Sequence, residues 1–97
     1  MSRIYIAGPM SGLPDSNYPA FHSAAKKLRE LDYFVENPAE NPVPECGSWS
    51  AHMRLAIAQL MTCDEIYLLR GWRSSRGAKI EHRIACELGL IVIGALE

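Results

Sequence analysis

The residues best suited to chemistry in this chain lie in one short stretch, Ser74-Ser75-Arg76-Gly77-Ala78, with Glu81 three residues further on. The stretch follows a β-rich run, Glu65 to Leu69, and the loop Arg70 to Arg76, and it opens a helix. Small residues there let backbone N–H groups approach an anion closely, and the helix N-terminus adds favourable partial charge. A carboxylate in the first turns of such a helix stands at the carboxyl edge of a sheet, where open α/β folds bind ligands. Glu81 is therefore the leading candidate for a reactive group. The same position also suits a plain structural part, because a glutamate near a helix start offsets the dipole without doing chemistry.

A second small-residue loop, Gly8-Pro9-Met10-Ser11-Gly12, follows the first β-rich run, Arg3 to Ala7. Neither loop matches GxxxxGK[ST] or GxGxxG, so each taken singly reads equally as a phosphate cradle or as a turn. Tyr5, within that first run, either packs in the core or delivers its hydroxyl to a pocket. Ser74 and Ser75 lack a GxSxG elbow, which argues against serine hydrolase chemistry. His22, His52 and His82 fall on three different predicted helices with no HxxxH or CxxC spacing, so no metal site is expected and they read as surface or satisfied histidines. Trp49 and Trp72 lie in or beside loops, where an indole stacks on a base, covers the core or joins a dimer contact.

The elements that must position these residues follow from periodicity. Ser16 or Asn17 can cap a helix with Pro19 in its first turn, and Phe21, Ala24, Ala25, Leu28 and Leu31 then repeat at helical spacing. Tyr33 to Glu36 supplies a second short strand, and Asn37 to Ser48 is irregular, with three prolines and a glycine. After Ser48 or Ser50 a second helix packs through Met53, Ala56, Ile57, Leu60 and Met61. A third helix buries Ile80, Ile84, Ala85 and Leu88 and ends at Gly89 as its C′ residue. Leu90 to Ile93 reads as a strand covered on both faces. The order β-α-β-α-β-α-β predicts a single α/β domain over residues 1–97, a small Rossmann-like or flavodoxin-like parallel sheet with helices on both faces.

Composition narrows the function classes. Ten Lys plus Arg against eleven Asp plus Glu give a net charge of −1, with no basic stripe to follow a duplex phosphate backbone. No apolar run approaches the roughly 18 residues of a membrane span, and the N-terminus does not read as a signal peptide. Cys46, Cys63 and Cys86 are odd in number and far apart, and read as reduced thiols of a cytoplasmic protein. A domain of this size buries only somewhat more than roughly 60% of its unfolded surface, so a homodimer or higher homo-oligomer is expected.

Taken together, the segments Arg3-Ile-Tyr-Ile-Ala-Gly-Pro-Met-Ser-Gly, Asn37-Pro38-Ala39-Glu40, Cys63-Asp64-Glu65-Ile66 and Ser75-Arg76-Gly77-Ala78-Lys79-Ile80-Glu81 resemble the nucleoside 2-deoxyribosyltransferase superfamily. The resemblance covers nearly the whole chain, is strongest to short phage and bacterial members, and extends to the 2′-deoxynucleoside 5′-phosphate N-hydrolases. It implies cleavage of the N-glycosidic bond of a 2′-deoxynucleoside or its 5′-monophosphate through a covalent deoxyribosyl ester, with no metal or organic cofactor. It assigns Glu81 as the nucleophile and Tyr5 as the tyrosine near it. Gly8, Met10 and Ser11 match the first binding loop, and Ser75 and Gly77 match positions that hold a 5′-phosphate, with Arg76 adding charge.

One departure accompanies the resemblance. The family's second-helix aspartate, eight residues before the Asp that starts strand three, falls here on Ala56, which can neither hydrogen-bond a hydroxyl nor transfer a proton. Asp15 or Glu40 is a substitute that the loops offer. The chain also ends at Glu97, directly after the fourth strand, so the resemblance implies a pocket completed by a partner subunit or left open. A nucleotide-binding module with weak or no catalysis and a phage-type protein-interaction scaffold are the competing classes.

Overall fold

The computed structural model describes residues 2–42 and 47–94. Four strands, β1 (Arg3–Ala7), β2 (Phe34–Glu36), β3 (Glu65–Leu68) and β4 (Ile91–Gly94), alternate with three helices, α1 (Tyr18–Glu30), α2 (Trp49–Leu60) and α3 (Arg76–Glu87). The strands form one sheet in the order β2-β1-β3-β4, every neighbouring pair parallel. The expected α/β architecture and element order are therefore present.

Alternation along the strands divides the core in two. Ile4 and Ile6 of β1 face one way and pack with Phe21, Ala24, Ala25 and Leu28 of α1. Tyr5 and Ala7 face the other way and pack with Ala56 and Leu60 of α2 and with Ala78 and Ala85 of α3. Successive strand side chains point to opposite faces, so a five-residue strand serves both cores at once. From β1 the chain steps outward to β2, then crosses back past β1 to β3. Right-handed crossovers put the helices of opposite steps on opposite faces, with α1 on one side and α2 and α3 on the other. The order reverses between β1 and β3, and that reversal opens a crevice at their carboxyl ends.

Local chemistry fixes the ends of the helices. Ser48 Oγ accepts from the Ala51 N–H at 3.1 Å and caps α2, and Ser75 Oγ accepts from the Ala78 N–H at 3.1 Å and caps α3. Gly89, with φ of 76°, is the left-handed C′ residue of α3; Gly89 N–H donates to Cys86 O and Leu90 N–H to Ala85 O, a Schellman arrangement.

Three expectations need correction. Asn17 precedes α1 but adopts a left-handed backbone with φ of 60°, and its amide donates to Pro9 O at 2.9 Å instead of capping the helix. The apolar stripes are narrower than the periodicity implies: Leu88 lies past the end of α3 and is 60% exposed, and Met61, past the end of α2, and Leu31, past the end of α1, are exposed as well. The fourth strand is an edge strand with Ile91 59% exposed, so its β-branched run reflects strand propensity and not burial on both faces. Cys63 is buried and Cys86 exposed, both as free thiols, whereas Cys46 lies outside the described residues. No helix among the described residues is long and apolar enough to cross a membrane.

Candidate active site

The crevice at the reversal point is a cavity of about 340 Å³. Tyr5 and Ile6 of β1 line it together with Gly8, Met10 and Ser11 of the following loop. Ser75 and Glu81 enter from the start of α3, and Trp49, His52, Met53 and Ala56 from α2. Ser16, Tyr18, Phe21, Pro38 and Asn41 close the remaining wall. The cavity thus gathers both loops singled out in the sequence, although they lie more than sixty residues apart in the chain.

Glu81 sits at the centre of this arrangement. It is only 5% exposed, and Tyr5 Oη donates to its Oε2 at 2.5 Å. Burial disfavours the carboxylate and raises the Glu81 pKa from its ordinary 4.5 to about 7, while the bond from Tyr5 pulls in the opposite direction. Tyr5 is in turn held well above its ordinary value of 10, first by burial and then by the neighbouring Glu81 charge and the bond to it. The phenol therefore stays protonated and is a fixed donor, and the carboxyl changes charge near neutral pH. The juxtaposition follows from the topology: Tyr5 points to the α2–α3 face of the sheet, and Glu81 lies on the same side of α3 as the buried Ala78 and Ala85.

The first loop turns tightly past the end of β3. A Cβ at Gly8 would lie 2.8 Å from both Cβ and Cδ1 of Leu69, so a side chain there would push the loop away from the sheet. Ser75 uses its lone pair to cap α3, which leaves its own O–H available to the cavity. Asn41 is held by a bond from its Nδ2 to Gln59 Oε1 at 2.6 Å, and Gln59 in turn donates to Glu36 at 3.0 Å.

Arg76 and Gly77 sit elsewhere than the lining. The Arg76 guanidinium stacks on the Trp49 ring at 4.0 Å, at the rim, and Gly77 faces α2, where an added Cβ would lie 3.0 Å from Met53 Sδ. Neither proposed substitute for the missing acid lines the cavity. Glu40 pairs with Arg29 at 2.9 Å on the opposite face of the sheet's end, and Asp15 is exposed in the loop before α1. Ala56 does line it, so the position left apolar faces the crevice. Trp72 is buried against the His82 ring at 4.4 Å, the core-covering alternative of the three expected for it. His52, expected as a surface or satisfied histidine, is exposed, yet it opens onto the cavity. Its spacing of four from Ala56 was the available signal. Among the described residues no cluster of three or more His, Cys, Asp or Glu side chains is arranged to hold a metal ion.

A search of curated proteins finds no match to this sequence. Among solved structures, the chain is similar to a 2-desoxiribosyltransferase from Leishmania mexicana, with a TM-score of 0.75 at 21% identity over 97% of this chain. It spans 63% of the length of that protein. At that identity the likeness concerns the fold, and the two share the parallel α/β layer architecture of the deoxyribosyltransferases. Residues 2–94 match the family described as "Domain of unknown function (DUF4406)", and the chain belongs to that family.

Proposed function

We propose that this protein cleaves the N-glycosidic bond of a 2′-deoxynucleoside or its 5′-monophosphate, with Glu81 as nucleophile. The observation that carries this reading is the buried Glu81 carboxyl, bonded by Tyr5 and opening into a crevice between two small-residue loops. As the base departs, C1′ takes on oxocarbenium character, and an adjacent carboxylate captures it as a covalent ester in the manner of retaining glycosidases. Tyr5 fixes one carboxyl oxygen, which leaves the other to attack. Ser11 and Ser75 supply hydroxyls, and the start of α3 supplies backbone amides, to a 5′-phosphate. Arg76 at the rim adds positive charge to that end. Water or a second base then releases the sugar. Support from outside the chain is the shared fold with a 2-desoxiribosyltransferase.

The test is a screen of the four common 2′-deoxynucleoside monophosphates and their nucleosides for free base by chromatography. Base release from at least one, abolished in Glu81→Ala and Glu81→Gln, is the expected outcome. Undiminished turnover in both variants would remove Glu81 from the nucleophile role. A second reading, a nucleotide-binding module with little catalysis, is favoured by one observation, the apolar Ala56 in the cavity wall. Calorimetric binding of a nucleotide without base release over long incubation would select it.

A further inference from the structure

Breaking a C1′–N bond requires a second group besides the nucleophile, because the departing base is a poor anion unless it receives a proton. Glu81 is the one carboxylate among the described residues lining the cavity, and the nucleophilic role occupies it. Tyr5 already donates its hydroxyl proton to Glu81. Ala56 has no proton to give, and Glu40 and Asp15 stand outside the lining. Tyr18 lines the cavity too, but a phenol is a far weaker acid than an imidazolium.

We propose that His52 is the proton donor to the departing base, supplied from α2 one helical turn before the position that Ala56 leaves apolar. The proposal rests on the N-glycosidic reading above and gives it a second catalytic residue. Residues four apart share a helix face, and both His52 and Ala56 border the same cavity as Glu81. Imidazole is the side chain that passes most readily between donor and acceptor near neutral pH. The Glu81 carboxylate bonds to C1′, the C1′–N bond breaks, and its electron pair stays on the base nitrogen. The His52 imidazolium gives that nitrogen its proton, leaving a neutral base, a neutral imidazole and a deoxyribosyl ester. A water molecule then attacks C1′, His52 takes the water's proton, and the Glu81 carboxylate leaves. Both residues return to their starting states.

Leaving-group dependence tests this. Wild-type protein, His52→Ala, His52→Gln, Glu81→Gln and the His52→Ala/Ala56→Asp double variant are compared on two substrates. One is a 2′-deoxynucleoside 5′-monophosphate with its natural base; the other is 2-deoxyribose 5-phosphate carrying 4-nitrophenoxide at C1′, which leaves without a proton. Both His52 variants are expected to slow natural-base release in a single turnover by about 10²- to 10⁴-fold while losing less than about tenfold in the nitrophenoxide burst, which precedes the step in which His52 takes the water's proton. The double variant should recover part of the natural-base rate, and retained nitrophenoxide release certifies that each His52 variant is folded. Equal loss on both substrates, or full natural-base activity in His52→Gln, overturns the role of His52 alone. Failure of wild type on both substrates brings down the N-glycosidic reading and this proposal together, and undiminished activity in Glu81→Gln removes Glu81 from the nucleophile role and with it the step sequence drawn here.

Discussion

With a pKa of about 7, Glu81 is a neutral acid below that pH and a carboxylate above it, and only the carboxylate can attack C1′. The acid limb of kcat/KM for base release is therefore expected to rise through about pH 7, which a pH profile on the free enzyme reads directly. Tyr5→Phe removes the bond that holds this pKa down against burial, so the limb should move to higher pH; a limb that stays put would show that the phenol does not control the carboxyl. The same shift has a signature in stability. Folded Glu81 holds its proton to about pH 7 and an unfolded glutamate to about 4.5, so between those values the folded chain binds more protons, and its stability falls as pH rises through that window. The span from 4.5 to about 7, at about 1.4 kcal/mol per pH unit, is worth about 3.5 kcal/mol in all. Glu81→Gln should remove that slope, gaining on wild type from pH 4.5 to 7 and not beyond, as followed by urea unfolding across the range.

The ends of the elements carry the site, and the small residues there act through packing and capping. Ser75→Ala takes the cap from α3 and is expected to cost about 1 kcal/mol in denaturant unfolding. If its hydroxyl also meets a 5′-phosphate, KM for a monophosphate should rise more than KM for the free nucleoside. Gly8→Ala inserts a methyl 2.8 Å from Leu69 and should cost about 1 to 3 kcal/mol while displacing the first loop from the crevice. An unchanged melting curve would mean that Leu69 yields freely. The start of α2 was legible to within two residues because Ser48 and Ser50 are both N-cap types followed by apolar periodicity, and the structure selects Ser48 there and Ser75 for α3. The start of α1 was harder to read because Asp15, Ser16 and Asn17 all adopt left-handed backbone, and the Asn17 amide bonds Pro9 O instead of the helix.

At the scale of the fold, the four short strands and three helices of the described residues leave Leu31, Phe34, Leu88 and Ile91 each more than 45% exposed. Both β2 and β4 are sheet edges. Exposed apolar side chains beside open edges favour association, and we expect a homodimer or larger homo-oligomer by sedimentation at micromolar concentration. A monomer mass throughout that range would leave the cavity to be completed by this chain alone.

What the sequence determined by itself is what local chemistry governs: the alternation of strands and helices, a helix start at Ser48 or Ser50, the stop at Gly89, and two small-residue loops at strand ends. Those signals sit within a few residues of one another, where propensity, capping and side-chain periodicity act directly. Only the tertiary structure decided what meets across the chain. Tyr5 and Glu81 are 76 residues apart in sequence, and their contact depends on the order β2-β1-β3-β4 setting β1 and the start of α3 against one crevice. The same packing turned His52 and Ala56 toward that crevice, sent Arg76 to the Trp49 ring, and kept Glu40 with Arg29 outside it. Burial, and through it the raised pKa of Glu81, is a property of that assembly, because no neighbour in the chain desolvates the carboxyl as the joined faces of β1, α2 and α3 do.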